Sequence, residues 1–401
     1  MNIVHITSAF RPYAVGGAEV VVTNLAQRQA QDGHSVSILH LSPDERQPYA
    51  EGSVAIYPIR PPYLVGIGDH AASPALVRKL NKIQIPINGL AVQKISSIIN
   101  SIDPDIVHTH SLPDISTFIW PAAKSAGARV VHTLHDYDLL CGRATLFKGG
   151  NCERIHSDCK VHGYLKRLPL NAVDRFVSIS QKVIEKHLEH HALGERELSR
   201  TSVIWNGSPE HDASGGLRGR RAGRPLTFGF IGRLVPEKGV GFLIEACRAL
   251  PTSGWSLKIA GKAPVSDKDF REAAEGLPIE FVGWRDSQQF LDEVDVLIVP
   301  SLWDEPFGLT VIEGVRAGIP VIGSNRGAIP EILSDIYPDL IFDAEAPETL
   351  TNLLLDFIRG RSCDLGDDLV REFSKKVSIE RMVLSYYEVY NSASSSNSPG
   401  V

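Results

Sequence analysis

The sequence lacks any apolar run long enough to cross a bilayer. Stretches such as VDVLIVP fall far short of the roughly 20 residues that a membrane span requires. The opening residues, MNIVHITSAF, contain neither the basic lead nor the apolar core of a signal peptide, so we expect a cytoplasmic protein. Five cysteines, an odd number in 401 residues, do not indicate a disulfide framework.

Two common nucleotide-binding motifs are also missing. The absence of GxGxxG argues against a nicotinamide-dependent dehydrogenase, and the absence of GxxxxGK[ST] argues against a P-loop NTPase. A net charge of −6 without a strongly basic segment argues against nucleic-acid binding. Of the 14 histidines, none follows His211, so the first half of the chain must supply any imidazole that the chemistry needs.

Short β-rich runs alternate with helical stretches in both halves, which predicts parallel sheets covered by helices. The Gly-, Ser- and Arg-rich segment 208–224 reads as a linker between two doubly wound α/β domains. We predict an N-terminal domain over 1–207, joined by a C-terminal helix of about 379–394, and a second domain over 208–378. The Ser-rich residues 395–401 read as a disordered tail. Ligands of such folds bind at the carboxyl ends of strands, which favours a cleft between the domains.

The segment DEPFGLTVIEG, residues 304–314, follows the buried strand VLIVPS and runs into a helix. This position brings Glu305 and Glu313 to the edge of one cavity at the carboxyl end of the strand. A helix start attracts anions, so a phosphate is the expected neighbour of these carboxylates. In the alternative reading, Glu313 complements the helix dipole and Glu305 is a solvated loop residue.

Cations and glycines follow two other strands. In IGRLVPEKGV, Gly232 permits close approach of a ligand, while Arg233 and Lys238 supply the charges that grip phosphate oxygens. Two solvated loop cations are the alternative. The Gly16-Gly17 turn precedes the first helix and can bring backbone N–H groups to a phosphate, although a glycine pair alone is weak evidence.

Histidines end two strands of the first half. Alternation puts His108 and His110 on one face of a sheet, and His132 and His135 close the next strand. We expect His108 and His132 to be packed and hydrogen-bonded, and His110 and His135 to reach the cleft.

Two segments invite a metal interpretation that we do not favour. Asp136 and Asp138 form a DxD tripeptide, but no second carboxylate cluster supports it. The segment 141–162 carries three cysteines and two histidines in a spacing that matches no zinc-knuckle pattern. A loop with free thiols is the preferred reading there, and a structural zinc remains the alternative.

Taken together, these motifs resemble the retaining GT-B glycosyltransferases of family 4, also called glycosyltransferase group 1. The resemblance covers nearly the whole chain and is most specific in EPFGLTVIE, which matches the E-x7-E element of the family, and in GRLVPEKG. The segments GGAE, HTLHDY, IWNG, FVGW and GAIPEIL support it in order and spacing.

The resemblance implies roles for individual residues. Glu305 binds the hydroxyls of the donor sugar, Glu313 binds the ribose, and His135 lies beside the reacting carbon. Catalytic roles fall to His135, Glu305, Arg233 and Lys238. The nucleotide sugar is assigned to Gly16, Gly17, Gly232, Arg233, Lys238, Gly283, Trp284, Glu305, Phe307, Gly308, Leu309, Thr310 and Glu313. The acceptor is assigned to His110 and Glu19.

The implied reaction moves a hexose-type sugar from a UDP- or GDP-linked donor to a hydroxyl of a saccharide, glycolipid or lipid-linked acceptor, in polysaccharide or glycoconjugate synthesis. No carboxylate is an obvious nucleophile, which favours a same-face displacement that needs no metal cofactor. The basic and apolar segment 73–100 could rest on a membrane surface, or it could be an ordinary amphipathic helix covering a sheet. A sugar-nucleotide epimerase or isomerase and a non-catalytic sugar-nucleotide sensor are the alternative functions.

Overall fold

Two α/β units make up the chain. The computed structural model describes residues 1–12, 16–66, 73–209, 225–363 and 366–392. The first unit falls within Met1–Leu146, Cys152–Gly207 and Ile379–Val401, and the second within Phe147–Asn151 and Ser208–Ser378. Most of the predicted linker, from residue 210 onward, and the predicted tail at 395–401 lie outside the described residues.

An eight-stranded sheet forms the centre of the first unit, in the order β3-β4-β2-β1-β5-β6-β7-β8. Its strands are β1 (Asn2–Thr7), β2 (Ser35–Leu41), β3 (Tyr49–Glu51), β4 (Val54–Ile59), β5 (Ile106–His110), β6 (Arg129–Leu134), β7 (Arg175–Ser178) and β8 (Thr201–Val203). The predicted parallel sheet is confirmed, except that β3 is an antiparallel edge strand next to β4. The central strands are buried on both faces, as parallel strands under helices are expected to be.

Helices cover this sheet. They are α1 (Gly17–Gln31), α2 (Ala75–Gln84), α3 (Gly89–Ile102), α4 (Ile119–Ser125), α5 (Ser157–Arg167), α6 (Gln181–Glu189) and α7 (Glu195–Leu198). The short 3-10 helix Ile85–Ile87, which contains Pro86, separates α2 from α3. No helix of the described residues is long and apolar enough to cross a membrane.

Helix α5 lies in a segment that the sequence led us to read as a loop. Its buried residues are polar or small, namely Cys159, His162, Gly163 and Lys166, whereas Val161 and Tyr164 are exposed. Gly163 is needed because a Cβ atom there would lie 2.9 Å from the carbonyl oxygen of Leu139. In α5 the polar and small residues are therefore buried and the large apolar ones exposed, which is the reverse of the usual helix pattern. Hydrophobic periodicity could not predict such a helix.

The second unit contains a six-stranded sheet in the order β11-β10-β9-β12-β13-β14. The strands are β9 (Leu226–Ile231), β10 (Trp255–Ala260), β11 (Ile279–Gly283), β12 (Val296–Val299), β13 (Val321–Ser324) and β14 (Ile341–Phe342), and every pair is parallel. The helices are α8 (Val240–Arg248), α9 (Lys268–Ala273), α10 (Ser287–Leu291), α11 (Leu309–Arg316), α12 (Ile329–Leu333), α13 (Pro347–Ile358) and α14 (Asp367–Lys376).

The last helix, α15 (Ile379–Ser392), belongs to the first unit and packs against α1. Tyr386 and Tyr390 are its largest fully buried side chains. Both reach His108 of β5, at ring-centroid distances of 5.0 and 5.7 Å. The C-terminal helix thus covers the face of the first sheet on which histidines lie.

Candidate functional site

The predicted phosphate-binding residues follow β9 and β12, which are neighbours in the second sheet. Arg233 comes just after β9 and is exposed, and Lys238 ends the short 3-10 helix Pro236–Lys238. Glu305 lies in the loop between β12 and α11. Because the carboxyl ends of parallel strands meet at one edge, these three side chains come from adjacent loops.

An ion pair joins two of them. The ammonium nitrogen Nζ of Lys238 lies 2.6 Å from Oε2 and 2.9 Å from Oε1 of Glu305. The hydroxyl of Ser301 and the indole N–H of Trp303 also donate to Oε2 of Glu305, at 3.0 and 2.9 Å. Burial alone would raise the pKa of the Glu305 carboxyl, but the charge of Lys238 and these three donors together hold the pKa below its ordinary value.

Close backbone contacts hold this loop in place. Gly239 has φ of 75°, and a Cβ atom there would lie 1.7 Å from the carbonyl oxygen of Pro300. The side-chain amide of Asn151 donates to the carbonyl of Leu302 and accepts from the backbone N–H of Asp304, both at 2.9 Å. Asn151 lies in a short segment of the first half of the chain that belongs to the second unit, and sequence spacing gave no signal for it.

Helix α11 begins without a side-chain cap. Its N-cap is Gly308, at φ of 108°, and the backbone N–H groups of Val311 and Ile312 bond back to the carbonyl of Gly308. The N–H groups of Leu309 and Thr310 precede these bonds and are directed outward from the helix start. Buried Phe307 anchors the preceding turn. An uncapped helix start next to two cations is suited to an anion.

Glu313 lies on the second turn of α11 and is half-buried. Burial is the main cause that raises the pKa of its carboxyl to about 7, and nearby Asp286 adds to the effect. A hydrogen bond from Ser287 partly offsets this rise. The carboxyl of Glu313 therefore titrates near neutral pH, unlike that of Glu305.

Gly283 and Trp284, which the resemblance assigns to the nucleotide sugar, lie at the end of β11. Gly283 ends β11 with φ of 72°, and its carbonyl accepts from the backbone N–H of Gly261 at 2.8 Å. Gly261 in turn passes so close to Gly232 that a Cβ atom would lie 1.8 Å from the Gly232 carbonyl oxygen. Trp284 is 62% exposed, so its ring is available to stack on a planar group.

In the first unit, Gly16 is the N-cap of α1 and Gly17 is its first residue. Both are exposed and no side chain caps the helix. Glu19 lies in the first turn and folds back, so that Oε2 would be 2.7 Å from a Cβ atom at Gly16. A carboxylate thus already lies against this helix start, where the sequence suggested a phosphate.

The strand-end histidines are more deeply buried than expected of cleft residues. His110 has no exposed surface and His135 is 6% exposed. Nδ1 of His110 lies 3.0 Å from Nε2 of His135, and Nε2 of His110 lies 2.9 Å from Nδ1 of His5. The expected packing of His108 is confirmed by its contacts to the hydroxyls of Tyr390, at 2.8 Å, and Thr133, at 2.7 Å. Direct acceptor contact by His110 stays a prediction.

His132 faces the other side of the sheet, where its Nδ1 lies 2.9 Å from Oγ1 of Thr109. The indole N–H of Trp120, on α4, donates to the same hydroxyl at 3.0 Å. The prediction that His132 is packed and hydrogen-bonded is therefore confirmed.

Most of the potential metal ligands among the described residues already have hydrogen-bond or ion-pair partners. Among these residues, the one group of three or more donors within 4.8 Å of one another is His5, His108 and His110. Each nitrogen of these rings has a hydrogen-bond partner, so an ion would have to displace existing bonds.

The segments that invited a metal reading have other partners. Asp138 accepts from Nζ of Lys166 at 3.2 Å and from the backbone N–H of Leu112 at 3.1 Å. Sγ of Cys141 lies 3.4 Å from Sγ of Cys159, and both thiols are free and buried. The preference for free thiols over a structural zinc in 141–162 stays a prediction.

Both halves match known protein families. The family described as "Glycosyltransferase Family 4" matches residues 15–209, and "Glycosyl transferases group 1" matches residues 225–359. An uncharacterized 42.6 kDa protein in the cps region of Klebsiella pneumoniae is 30% identical over 347 residues, which are 85% of this chain and 90% of that protein. Glycogen synthase of Mycobacterium tuberculosis is 27% identical over 82% of this chain and 80% of its own length.

Solved structures share the fold at low sequence identity. Sucrose-phosphate synthase from Thermosynechococcus elongatus has a TM-score of 0.71 and 19% identity, over 98% of this chain and 99% of its own. Anabaena HepE in complex with UDP has a TM-score of 0.68 and 17% identity, over 98% of this chain and all of its own. These likenesses bear on the fold alone.

Proposed function

Because the chain belongs to the group 1, family 4 glycosyltransferases and has their two Rossmann-like α/β domains, the GT-B architecture, we propose a specific transfer reaction. The enzyme moves a hexose-type sugar from a nucleoside-diphosphate sugar to an acceptor hydroxyl, with retention of the anomeric configuration. The names of two relatives, one encoded in a cps region and one a glycogen synthase, favour a polysaccharide or glycoconjugate as the product.

One observation carries the proposal. Arg233, the Lys238–Glu305 ion pair and the uncapped start of α11 lie together at the carboxyl edge of the second sheet. The set combines two cations and free N–H groups, which suit a diphosphate, with a carboxylate, which suits sugar hydroxyls. A sugar-nucleotide epimerase would bind the same donor but would need acid and base groups flanking the sugar, so product analysis without any acceptor separates the two functions.

The diphosphate is the leaving group in the proposed mechanism. Its developing charge is stabilised by Arg233, by Lys238 and by the N–H groups of Leu309 and Thr310. The departing phosphate accepts the proton of the acceptor hydroxyl on the same face of the sugar, so that configuration is retained without a covalent intermediate. Glu305 holds the sugar hydroxyls and Glu313 the ribose, while Trp284 and Gly283 border the base. His135 is the proposed imidazole partner of the sugar.

Nucleotide binding gives the first test. We would measure the melting temperature of the purified protein with UDP, GDP, ADP, dTDP and NAD. A ligand at 100 times its dissociation constant adds about 2.7 kcal/mol to the free energy of unfolding. The UDP complexes of HepE favour UDP, with GDP as the second candidate. A shift with NAD alone would contradict the proposal.

Charge removal tests the site itself. Arg233→Ala and Lys238→Ala should each reduce donor turnover by a factor corresponding to about 2–4 kcal/mol of transition-state stabilisation. Arg271→Ala is the matched control, because Arg271 is a partly exposed arginine of the same unit that pairs with Asp267. Turnover within a few-fold of wild type in both site variants would show that the phosphate assignment is wrong.

We further propose that the acceptor is presented at a membrane surface. Helix α2 exposes Leu76 by 68% and Leu80 by 50%, and the residues after it expose Ile87 by 54% and Leu90 by 67%. Helix α5, which packs against α2, adds exposed Val161 and Tyr164, and Leu168 directly after α5 is also exposed. Arg78, Lys79 and Lys82 are exposed beside these apolar side chains. Apolar side chains among cations match an anionic lipid interface, which supports this proposal.

Vesicle binding tests this surface. We expect co-sedimentation with vesicles that contain anionic phospholipid, weaker binding to zwitterionic vesicles, and loss of binding in the double variant Leu76→Ser and Leu80→Ser. Leu384→Ser is the control, because Leu384 is 59% exposed on α15. Equal binding of the double variant and the control would rule out this surface.

A further inference from the structure

A chain of buried hydrogen bonds runs from α1 to the end of β6. Oε1 of Gln29 lies 2.8 Å from Nε2 of His5, and Nδ1 of His5 lies 2.9 Å from Nε2 of His110. Nδ1 of His110 lies 3.0 Å from Nε2 of His135. Gln29, His5 and His110 have no exposed surface. These hydrogen bonds therefore connect the side-chain amide of Gln29, on α1, to His135, the histidine that the proposed mechanism uses.

The three rings are neutral at physiological pH. Burial is the main cause that lowers the pKa of His5 to about 4 and that of His135 to about 3, and it also lowers the pKa of His110 well below its ordinary value. Neighbouring groups modify these pKa values: His108, His5, His135 and His132 lower that of His110. His132 lowers and Asp138 raises that of His135, and the hydrogen bond to Gln29 raises that of His5. A neutral imidazole carries one N–H and one lone pair, so each ring donates at one nitrogen and accepts at the other.

The direction of donation follows from Gln29. Its carbonyl oxygen Oε1 only accepts, so Nε2 of His5 carries the proton and Nδ1 of His5 accepts. Nε2 of His110 must then donate to His5, and Nδ1 of His110 accepts from Nε2 of His135. Nδ1 of His135 is left with a lone pair, and none of the described residues donates a hydrogen bond to it.

We propose that Gln29 is a positioning residue that fixes the tautomer of His135 through His5 and His110, so that His135 presents a lone pair to a hydroxyl of the bound sugar. The contact to sugar rests on the proposed function, but the tautomer assignment does not. His135 accepts a hydrogen bond from the substrate in this arrangement and does not act as an acid.

A second branch of hydrogen bonds begins at the amide nitrogen of Gln29. Its Nε2 donates to the hydroxyl of Tyr390 at 3.2 Å, and that hydroxyl lies 2.8 Å from Nδ1 of His108. Nε2 of His108 lies 2.7 Å from the hydroxyl of Thr133. If the amide were flipped, every histidine in both branches would carry its proton on the other ring nitrogen. The direction of donation can therefore be tested at any of these histidines.

Nuclear magnetic resonance measures the tautomers directly. Protein labelled with 15N at histidine is recorded by long-range 1H–15N correlation at pH 7.5, with His135 assigned through His135→Gln. We expect His5, His110 and His135 all to carry the proton on Nε2 in the wild-type protein. Protonation of His135 on Nδ1 would overturn the proposal without any variant being needed.

Two variants separate positioning from packing. Gln29→Met keeps the length of the side chain but removes the acceptor, so His135 should populate both tautomers. Tyr390→Phe is the matched control, because it removes one buried hydrogen bond of the same amide and leaves the bond to His5. It should keep His135 in the Nε2–H form. An unchanged His135 tautomer in Gln29→Met would overturn the proposal.

Turnover adds a second readout. Loss of a partner that holds a catalytic histidine directly can cost about 10⁴ in kcat, as in the serine proteases. Because Gln29 acts through two intervening rings, we expect Gln29→Met to lower kcat by about 10-fold with little change in KM, and Tyr390→Phe to lower it by less. Equal losses of kcat in the two variants would indicate a purely structural role. An inactive wild-type protein with the expected tautomers would contradict the proposed function alone.

Discussion

Lys238 and Glu305 form an ion pair in which Nζ lies 2.6 Å from Oε2, with side chains that are 22% and 12% exposed. The nearest partner of Lys238, the cation proposed to bind phosphate, is thus the carboxylate proposed to bind the sugar. Binding of a diphosphate would draw Lys238 away from Glu305 and leave that carboxylate free for sugar hydroxyls. The diphosphate would therefore make both Lys238 and Glu305 available for the parts of the donor that they are proposed to bind.

The Lys238–Glu305 ion pair predicts that removal of Lys238 and removal of Glu305 lower the free energy of unfolding by unequal amounts. Lys238→Met leaves the Glu305 carboxylate with only the neutral donors Ser301 and Trp303, so it should lower the free energy of unfolding by about 2–3 kcal/mol. Glu305→Gln leaves a partly exposed ammonium that water can solvate, so it should cost about 1 kcal/mol. Urea unfolding measures both.

Two further variants complete that measurement. The double variant should be less destabilised than the sum of the single variants, because the uncompensated charge is gone. Lys268→Met, which removes a largely exposed ion pair with Glu272, is the control and should change stability little. A larger loss in Glu305→Gln than in Lys238→Met would contradict the expected asymmetry.

Glu313 predicts a pH dependence of nucleotide binding. Burial raises its pKa to about 7 in the unliganded protein, and the ionised form is the better acceptor for ribose hydroxyls. The dissociation constant for the preferred nucleoside diphosphate, measured by calorimetry, should therefore rise as pH falls from 8 to 6.

Glu313→Gln separates this effect from titration of the phosphate itself. The variant should bind more weakly at pH 8 and show a shallower pH dependence, because only the phosphate still titrates. The same slope in the variant and the wild-type protein would show that Glu313 does not titrate at the nucleotide.

The sequence predicted which residues lie at the carboxyl edge of the second sheet, because the motifs that carry them are local. GRLVPEKG and EPFGLTVIE each follow a strand directly, and strand direction alone assigns Arg233, Lys238 and Glu305 to one edge. The contacts that hold the neighbouring loop residues in place were not predictable. Asn151 reaches Asp304 across 153 positions, so that its contact depends on how the whole chain folds.

The histidine chain shows the same limit in the first unit. Strand alternation correctly put His108 and His110 on one face. His5 meets His110 only because β1 and β5 are neighbours in the sheet, and Gln29 lies above them only because α1 packs there. Contacts at separations of 105 and 24 residues follow from topology and leave no local pattern.

Gly239 predicts a large cost for a small substitution. Gly239→Ala would put Cβ 1.7 Å from the carbonyl oxygen of Pro300 at φ of 75°, so the backbone beside Lys238 must move. Gly254 has φ of 92° with open space around its Cβ position. Gly254→Ala should therefore cost only the conformational strain of about 1–2 kcal/mol, and Gly239→Ala clearly more. Similar midpoints of urea unfolding for the two variants would contradict the close contact.

Buried neutral histidines predict a loss of stability in acid. Burial lowers the pKa of His187 to about 4, and that of His5 and His132 to about 4 as well. The unfolded chain takes up protons near pH 6.5 while the folded protein does not, so this stability is complete above pH 6.5 and is lost as pH falls toward 4. Each such histidine contributes a slope of about 1.4 kcal/mol per pH unit in that window.

His187 offers the cleanest single-site measurement of that slope. His187→Phe should reduce the dependence of the unfolding free energy on pH by about 1.4 kcal/mol per pH unit between 6 and 4.5. Tyr137, whose ring centroid lies 6.1 Å from that of His187, supplies the control. Tyr137→Phe alters the same buried contact without removing an imidazole, so it should shift stability equally at every pH. An unchanged slope in His187→Phe would mean that this ring is charged in the folded protein.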